Sequence, residues 1–564
     1  MSRWGVFLTG WIVIFFGAGL AYFIQTSSDV TIEDIRFQSA NGKTLSALLY
    51  LPANATVENK APAILAVHGY INSREAQSGF AIEFARRGYV VLALDQTGHG
   101  YSDPPAFSDG FGGPDALQYL RALDRVDTNN IGLEGHSMGG WAVLAAAAAM
   151  PDGYRSVVLQ GSSTGPPFAA DGTPAWPRNI AVVFAQFDEF AELMWGTKRA
   201  QDVNQSAKLQ ALFDTETAVL PNTLYGSIDS GSARMLMQPP VTHPGNHLSH
   251  ESIAAALDWF AQTLKGGRTL ESSDQVWFIK ETGTLIAFIG LVILIIGSLR
   301  LFLSFDVFGS LVVSSYDSAF THRTGRWWLL ASLSAIIPVL TFYPLFSWAE
   351  TVFAPNTWFT QGITNQILVW ALFNATIATL IMKVTPAGRP QSAELPGLSL
   401  VLACLIIFVS YFAVLVVDLV FTVDFRFWFV GLKALSLAQF QLALLYVVPF
   451  LIYFIGVLRP LHCGLSVEKD GWLTLYASNA FAMTGGFLFF LIAQYLYLFS
   501  AGTLLTPDEP LNTIVMIQFV PLLLIVSVIS TYAFCRTNRY LPGAIVNALF
   551  VTWYIVAGQA TQVA

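Results

Sequence analysis

Residues 132–141 read GLEGHSMGGW, and this stretch decides the fold of the first half of the chain. It contains a Gly-x-Ser-x-Gly pattern formed by Gly135, Ser137 and Gly139. The serine follows a short apolar run and precedes an alanine-rich one, so we expect a strand, a sharp turn and a helix. Such a turn exposes a nucleophile at the edge of a sheet, and its tightness requires glycine on both sides. The pattern therefore predicts that Ser137 is a nucleophile rather than an ordinary turn serine.

The residues on both sides of this motif alternate between strand-like and helix-like segments. Runs that are apolar throughout are typical of parallel strands covered on both faces. Six runs have this character: APAILAVHG, YVVLALDQ, NIGLEGHS, RSVVLQGS, NIAVVFAQFD and ARMLMQPPV. Two earlier runs, VTIEDIRFQS and KTLSALLYLP, read as an antiparallel pair. Together these segments predict a doubly wound α/β domain over residues 29–268.

The overall composition indicates that another part of the protein lies in a membrane. The 564-residue chain is 54% hydrophobic and only 12% charged, with a mean hydropathy of +0.54. Residues 29–274, by contrast, contain 26 acidic and 16 basic residues. Such an acidic domain has no basic face with which to bind nucleic acid, so we exclude that class of partner. The three cysteines, Cys404, Cys463 and Cys535, all lie in the second half, so the α/β domain cannot form a disulfide.

The membrane-spanning segments are predicted at both ends of the α/β domain. Residues 1–25 form an apolar run after one early base, which we interpret as an uncleaved signal anchor in preference to a cleaved signal peptide. Residues 269–281 form a polar linker, and residues 282–564 form a transmembrane domain. Its eight apolar segments are near residues 284–305, 327–346, 363–382, 398–421, 430–458, 472–499, 511–534 and 541–559. With the anchor, they make about nine spans.

The distribution of basic residues predicts the orientation of these spans. Basic residues concentrate in alternate loops, as the positive-inside rule requires. They are Arg300, Arg323, Arg326, Lys383, Arg389, Arg459, Lys469, Arg536 and Arg539. The loop that follows the anchor is then on the outer side. We expect a multi-pass protein of the plasma membrane with an extracytoplasmic α/β domain.

Four motifs make residues 29–264 resemble an α/β-hydrolase fold domain. They are HGY at residues 68–70, DQTGHGYS at residues 95–102, GHSMGG at residues 135–140, and a histidine-containing loop before the last helix of the domain. They occur in the order and spacing of that family. The second half resembles multi-span domains fused to such hydrolases, and this resemblance implies no function.

The resemblance implies a catalytic triad in the chain order Ser, acid, His. Ser137 is the nucleophile, and Asp188 is the acid because it directly follows an apolar strand, with Asp171 and Asp214 as the alternatives. The loop VTHPGNHLSHE offers three histidines as the base. We favour His247, in the bend just before the helix, over His243 and His250. The resemblance also implies an oxyanion hole formed by the backbone N–H groups of Tyr70 and Met138.

These residues predict a membrane-anchored serine hydrolase that cleaves an acyl ester through an acyl-enzyme. The expected partners are a small-molecule or lipid-like acyl substrate and the lipid bilayer, with no cofactor and no metal. Phe168, Trp176 and Trp195 are candidate pocket walls. A peptidase or an acyltransferase would use the same triad. In a different class of function, the helices would form a transporter or sensor and the α/β domain would only bind a ligand.

Overall fold

The computed structural model describes residues 3–314, 316–390, 393–427 and 429–564, so the first two residues of the predicted segment 1–25 lie outside the described residues. Contacts divide the chain into two compact units. The sheet unit consists of Leu20–Thr282, Gln494–Pro510 and Gly558–Ala564. The helical unit consists of the residues up to Gly19, Gly283–Ala493 and Leu511–Ala557. The sheet unit therefore includes two segments that the sequence analysis places in the transmembrane domain.

An eight-stranded, mostly parallel sheet forms the centre of the sheet unit. Its strands are β1 (Val30–Gln38), β2 (Thr44–Pro52), β3 (Ala61–Val67), β4 (Val90–Asp95), β5 (Val126–His136), β6 (Ser156–Gln160), β7 (Ile180–Val183) and β8 (Arg234–Met237). Their order across the sheet is β1-β2-β4-β3-β5-β6-β7-β8. β2 runs antiparallel to both β1 and β4, and the remaining pairs are parallel. The predicted doubly wound α/β fold is confirmed.

The central strands are apolar throughout because both faces of the sheet are covered. In β3, Leu65 and Val67 belong to one hydrophobic cluster, while Ile64 and Ala66 belong to another. All four side chains are fully buried. Successive residues of a strand point to opposite faces, so a strand without polar residues needs helices on both sides.

Up to residue 268, the described chain contains seven helices, of which the first belongs mostly to the helical unit and the other six to the sheet unit. They are α1 (Arg3–Gln25), α2 (Ser78–Arg86), α3 (Gly113–Ala122), α4 (Met138–Ala149), α5 (Ala191–Trp195), α6 (Ala207–Phe213) and α7 (His250–Thr263). Short 3₁₀ turns cover Arg74–Gln77, Asp109–Gly112, Ala200–Gln205 and Pro244–Leu248. Residues of α3 and α4 pack in the first cluster, and residues of α2 and α7 pack in the second. The sheet is thus enclosed by two helices on each face.

In the part of the chain that the structure describes, nine further helices follow the α/β region. They are α8 (Trp277–Phe302), α9 (Gly325–Leu340), α10 (Phe342–Val352), α11 (Gly362–Lys383), α12 (Pro396–Phe421), α13 (Leu437–Arg459), α14 (Trp472–Ala501), α15 (Pro510–Thr537) and α16 (Leu541–Gly558). Among the described residues, eight helices of the whole chain are long and apolar enough to cross a membrane, and α9 with α10 makes a ninth if the bent pair is one span. This agrees with the predicted number of about nine.

Two of the predicted segments differ from the helices in the structure. The segment 327–346 is broken, because α9 and α10 meet at an angle of 46°. Pro338 lies one turn before the break, and proline removes a backbone hydrogen bond from a helix. In the segment 430–458, the first residues are not helical: β11 (Phe425–Phe427) pairs with β12 (Val430–Leu432). A second small pair joins β9 (Tyr316–Asp317) to β10 (Arg389–Pro390).

Candidate active site

Ser137 lies at the sharp turn between β5 and α4. Its backbone has φ 53° and ψ −121°, a conformation that side-chain-bearing residues rarely adopt. A Cβ atom at Gly135 would collide with the carbonyl group of Gly139, and one at Gly139 would collide with that of Val67. The turn therefore requires glycine at both positions. Its strain holds a half-buried serine at the carboxyl end of the central strand.

Asp188 and His243 form a hydrogen-bonded pair at the same edge of the sheet. His243 Nδ1 lies 2.9 Å from Asp188 Oδ2, and the Asp188 side chain is fully buried. The other carboxylate oxygen accepts a hydrogen bond from the Phe190 N–H at 2.9 Å. A Cβ atom at Gly161, just after β6, would lie 3.0 Å from His243 Nδ1 and 3.1 Å from Asp188 Oδ2. The pair consequently packs directly over a glycine.

The structure corrects the choice of histidine: Asp188 pairs with His243, and not with His247 as predicted. The physical reason is the sheet register. Phe187 and Thr242 form a parallel bridge beyond the ends of β7 and β8. The residues that follow them, Asp188 and His243, therefore lie side by side. His247 lies four residues after His243, in the 3₁₀ turn Pro244–Leu248, and its ring packs against that of His136.

Of the other histidines of this region, His136 and His247 lie beside the pair and His250 lies apart from it. The rings of His247 and His136 have centroids 3.8 Å apart, and His136 Nε2 lies 3.0 Å from the His243 carbonyl oxygen. His136, the residue before Ser137, thereby contacts the loop that contains His243. His250 is exposed at the first position of α7 and contacts Trp277, with ring centroids 5.2 Å apart.

The two alternative acids lie elsewhere in the sheet unit. Asp214 ends α6 in the left-handed conformation, with φ 53°. Asp171 is near Lys208, because a Cβ atom at Gly165 would reach both side chains. The hydrogen bond to His243 therefore distinguishes Asp188 from both alternative acids.

The charge of Asp188 controls the protonation of His243. Burial alone would lower the pKa of the His243 imidazole, but the Asp188 carboxylate, with a smaller contribution from Glu189, raises it above its ordinary value. His136 has the opposite behaviour: burial and the nearby imidazoles of His247 and His243 hold its pKa well below the ordinary range. Of His243 and His136, His243 is thus the ring suited to accept a proton near neutral pH.

The loop that carries Tyr70 packs on the nucleophile turn. A Cβ atom at Gly69 would lie 3.1 Å from the Ser137 Cβ and 3.0 Å from His136 Nδ1. His68 is buried below this loop, where its Nε2 accepts a hydrogen bond from the Gln96 N–H at 3.2 Å. Met138 is the first residue of α4, where backbone N–H groups lack helical partners. Both predicted oxyanion residues therefore flank Ser137, and their role stays a prediction.

Aromatic side chains cover one side of this loop. Phe168 is 46% exposed and stacks on Phe107, with ring centroids 6.0 Å apart. The Tyr70 ring in turn contacts Phe107 at 5.4 Å. Trp195, which the sequence analysis places in the pocket wall, is only 2% exposed and packs against Phe184 in the core.

Sequence reasoning missed several residues beside the site. Phe107 lies in a loop, and an isolated phenylalanine in a loop carries no signal of its own. Trp176, also proposed as a wall, is half-buried in a turn with Thr173. Glu189, Tyr495 and Gln562 were missed as well, because their partners are remote in sequence.

Comparison with known proteins gives the class of this domain. Residues 62–268 match the family model of the α/β hydrolase fold. The chain is similar to the quorum-quenching protein AidA of Acinetobacter baumannii, with 35% identity over 20% of this chain and 39% of the relative. It is also similar to 2-hydroxy-6-oxononadienedioate/2-hydroxy-6-oxononatrienedioate hydrolase 1 of Dechloromonas aromatica, with 27% identity over 24% of this chain and 43% of the relative.

The chain is also similar to part of a solved structure. The α/β hydrolase GrgF from Penicillium sp. sh18 is 25% identical over 24% of this chain and 49% of that chain, with a TM-score of 0.21. The chain spans about two fifths of the length of the curated relatives it matches. Together, the sheet topology and the family match show that this chain contains an α/β-hydrolase fold domain, followed by a region of long apolar helices.

Proposed function

We propose that this protein is a membrane-bound serine hydrolase that cleaves acyl esters with the triad Ser137, His243 and Asp188. The observation that carries the proposal is the 2.9 Å contact between Asp188 and His243 beside the strained Ser137 turn. Hydrolases among the relatives support the general class of reaction. A nucleophile, a base and an orienting acid are the three groups that such a reaction requires.

The first half-reaction forms an acyl-enzyme. Asp188 accepts a hydrogen bond from the Nδ1–H of His243, which leaves Nε2 of the same ring unprotonated and able to accept the Ser137 hydroxyl proton. The serine oxygen then bonds to the ester carbonyl carbon, and the carbonyl oxygen becomes an oxyanion that accepts hydrogen bonds from the backbone N–H groups of Tyr70 and Met138. Collapse of this intermediate breaks the ester C–O bond. The leaving alcohol takes the proton from His243 Nε2.

The second half-reaction releases the acid. Water donates a proton to His243 Nε2 while its oxygen bonds to the acyl carbon. The new intermediate breaks the bond to the Ser137 oxygen, and that oxygen recovers the proton from His243. Ser137, His243 and Asp188 then return to their starting states, and no cofactor takes part.

A fluorophosphonate probe tests the nucleophile. Membranes that contain the full chain are treated with the probe, and labelling is compared for wild type, Ser137→Ala and Ser230→Ala. Ser230 is an exposed loop serine and serves as the matched control. We expect labelling of wild type and Ser230→Ala and none of Ser137→Ala. Labelling that persists without Ser137, or that wild type lacks, would contradict the proposal.

We also propose that the long apolar helices span the plasma membrane and that the α/β-hydrolase domain is extracytoplasmic. The clusters of basic residues in alternate loops support this orientation, because such loops remain in the cytoplasm. A Ser230→Cys variant tests it when a membrane-impermeant maleimide is added to intact cells. Labelling should occur without permeabilisation in Ser230→Cys and stay at background in wild type. Labelling only after permeabilisation would reverse the orientation.

The substrate is proposed to be a small or lipid-like acyl ester. The exposed Phe168 and its stacking partner Phe107 support an apolar rim beside the Tyr70 loop. A series of p-nitrophenyl esters of increasing acyl length tests this step. Rising kcat/KM with chain length supports a lipid-like substrate, whereas cleavage of short esters alone contradicts it.

A further inference from the structure

Two segments from the C-terminal half of the sequence belong to the sheet unit. The segment Gln494–Pro510 contains the last residues of α14 and the turn that leads to α15, and the segment Gly558–Ala564 follows α16. Each of them contacts a loop of the candidate active site. The two contacts involve different loops, one that carries the base and one that carries Tyr70.

The first contact runs through the carboxylate of Glu189, the residue that follows Asp188. Glu189 Oε2 accepts a hydrogen bond from the backbone N–H of His243 at 2.7 Å. Glu189 Oε1 accepts one from the Tyr495 hydroxyl at 2.8 Å. One carboxylate therefore joins α14 to the backbone of the base. A charged acceptor strengthens both hydrogen bonds relative to neutral ones.

Aromatic packing supports the same contact. Phe187, one residue before Asp188, meets Phe499 edge to face, with ring centroids 5.1 Å apart. Tyr495 and Phe499 are one helical turn apart, so both project from the same face of α14. The end of this helix thus holds the residues on both sides of the acid, Phe187 and Glu189.

The second contact is made by the tail that follows α16. The Thr561 N–H donates to the Gly98 carbonyl oxygen at 2.8 Å, and the Ala106 N–H donates to the Thr561 carbonyl oxygen at 2.8 Å. The Gln562 side-chain amide then donates to the Tyr70 hydroxyl at 2.8 Å. A Cβ atom at Gly98, where φ is +70°, would lie 2.5 Å from the Thr561 oxygen, so the close approach depends on glycine.

We propose that Tyr495 and Gln562 are positioning residues of the hydrolase site: Tyr495 orients the His243 loop through Glu189, and Gln562 orients the Tyr70 loop. This inference rests on the proposed serine hydrolase function. Neither residue is given a role in bond making. Each fixes a loop whose backbone or side chain must be placed to within about 0.5 Å for catalysis, which a flexible loop does not achieve by itself.

The electrostatics of Glu189 fit a positioning role. Removal from water and the negative charge of Asp188 raise the pKa of Glu189 to about 7. The groups that face it are Asp188 on its own segment, His243 on the base loop and Tyr495 on α14. Glutamine in its place can still accept from the His243 N–H and donate to the Tyr495 oxygen, whereas alanine can do neither.

Matched variants of the full chain in membranes test the two contacts. Tyr495→Phe is compared with Tyr497→Phe, a tyrosine on the same helix that is 44% exposed. Gln562→Ala is compared with Gln262→Ala, an exposed glutamine on α7. The kinetics use a short p-nitrophenyl ester, and titration of Ser137 with the fluorophosphonate corrects for the amount of folded enzyme. We expect Tyr495→Phe and Gln562→Ala to lower kcat on the order of 10-fold with KM within about twofold, while both controls match wild type.

The conservative exchange at Glu189 separates positioning from simple stability. We expect Glu189→Gln to keep most of the activity that Glu189→Ala loses. It should also move the acid limb of the kcat profile to lower pH, because the Glu189 charge contributes to the raised pKa of His243. Equal loss in both variants, with no change of the pH profile, would overturn the role assigned to Glu189.

Hydrogen exchange provides a readout that does not depend on activity. Tyr495→Phe should speed amide exchange in residues 241–249 and leave residues 68–72 unchanged, and Gln562→Ala should do the reverse. If wild type fails to react with the probe, the serine hydrolase proposal fails, and the exchange data still decide whether the segments hold these loops. Wild-type kcat and wild-type exchange in both variants would overturn the inference.

Discussion

The sheet unit and the helical unit use buried polar side chains in different ways. In the sheet unit they include charges: Arg74 is fully buried and bonds to Asp34 at 2.6 Å, with Asp95 behind it at 3.7 Å. In the helical unit, a buried ion pair between Arg426 and Asp424 at 2.7 Å lies outside the long helices. Neutral groups join the helices themselves to their neighbours, as when Asn374 donates to Thr341 at 3.0 Å and Asn479 donates to Thr531 at 3.0 Å. Buried ion pairs therefore occur in both units, and neutral hydrogen bonds link the long apolar helices.

This difference follows from the cost of removing charge from water. A buried charge needs a partner and several hydrogen bonds, and an α/β domain supplies them at the carboxyl ends of its strands. Within apolar helices, amide and hydroxyl groups provide interhelical hydrogen bonds at much lower cost. Gln518 likewise bonds to Tyr554, and Asn547 donates to the Val526 carbonyl oxygen at 3.3 Å. Asn374, Asn479, Gln518 and Asn547 thus all form hydrogen bonds to a neighbouring helix or to its end.

The largest effect on activity in the sheet unit is expected when the imidazole of His243 is removed. We expect His243→Ala to lower kcat by about 10⁵-fold or more, since a triad without its imidazole retains only binding and oxyanion stabilisation. His247→Ala should cost far less, because His247 packs against His136, while the hydrogen bond of Asp188 goes to His243. Burst kinetics with a p-nitrophenyl ester measure both. A larger loss in His247→Ala would show that the sheet register does not select the base.

Removing the charge of the acid should have the next largest effect. We expect Asp188→Asn to lower kcat by about 10⁴-fold, because asparagine favours the wrong tautomer of the base. The base acts when neutral, so activity rises as the pH increases through the pKa of His243. Asp188 raises that pKa, and the residual activity of Asp188→Asn should therefore have its acid limb at lower pH than wild type. A limb shifted to higher pH would contradict this electrostatic role.

Two glycine substitutions should separate the stability of the two units. A Cβ atom at Gly139 would collide with β3 at the Val67 carbonyl oxygen, and one at Gly486 would collide with α9 at the Ala335 carbonyl oxygen. We expect each Gly→Ala variant to lose about 2–4 kcal/mol of stability, since close backbone packing is broken. Gly139→Ala should abolish probe labelling, whereas Gly486→Ala should retain labelling per folded molecule.

Gly397→Ala provides the matched control for both variants. Nothing lies within 4 Å of a Cβ atom at Gly397 in α12, so this change should leave thermal stability unchanged or slightly raised. Thermal unfolding of purified protein measures all three variants. A Gly397→Ala variant as unstable as Gly486→Ala would indicate that helix propensity, and not backbone contact, controls the result.

The smallest effect is expected from an interhelical hydrogen bond. Asn374→Leu removes the bonds to Thr341 and to the Trp370 carbonyl oxygen. We expect a loss of about 0.6–2 kcal/mol in the stability of the helical unit, and no change of kcat. Steric trapping or thermal unfolding measures the first quantity, and the ester assay measures the second. A fall in kcat would link Asn374 to the hydrolase site and weaken the distinction between the two units.

Most of the fold was predictable because it depends on local patterns. The apolar run of β3 and the Gly-x-Ser-x-Gly turn at Ser137 are contained in short stretches, and each allows few backbone conformations. The long apolar helices were predictable for the same reason. Their ends were less so: the break between α9 and α10 and the strand at Val430–Leu432 depend on tertiary contacts as well as on hydropathy.

The positions of Ser137 and Asp188 at the edge of the sheet were predictable, but the histidine that pairs with Asp188 was not. Ser137 and Asp188 each directly follow an apolar run, so their position relative to the sheet was already determined by the chain. His243, His247 and His250 share one loop, and no local pattern selects among them. The bridge between Phe187 and Thr242 makes the selection, because it brings residues 188 and 243 into adjacent positions.

The sequence by itself determined the doubly wound sheet, the nucleophile turn and the region of apolar helices, since hydrophobic period and glycine sterics act over about 10 residues at a time. The identity of the histidine that pairs with Asp188 depends on the tertiary structure. The tertiary structure also decided that Tyr495 and Gln562, more than 300 residues from their partners Glu189 and Tyr70, contact the site loops. Such contacts leave no trace in local composition, because a hydrogen bond requires only one donor and one acceptor that the completed fold brings together.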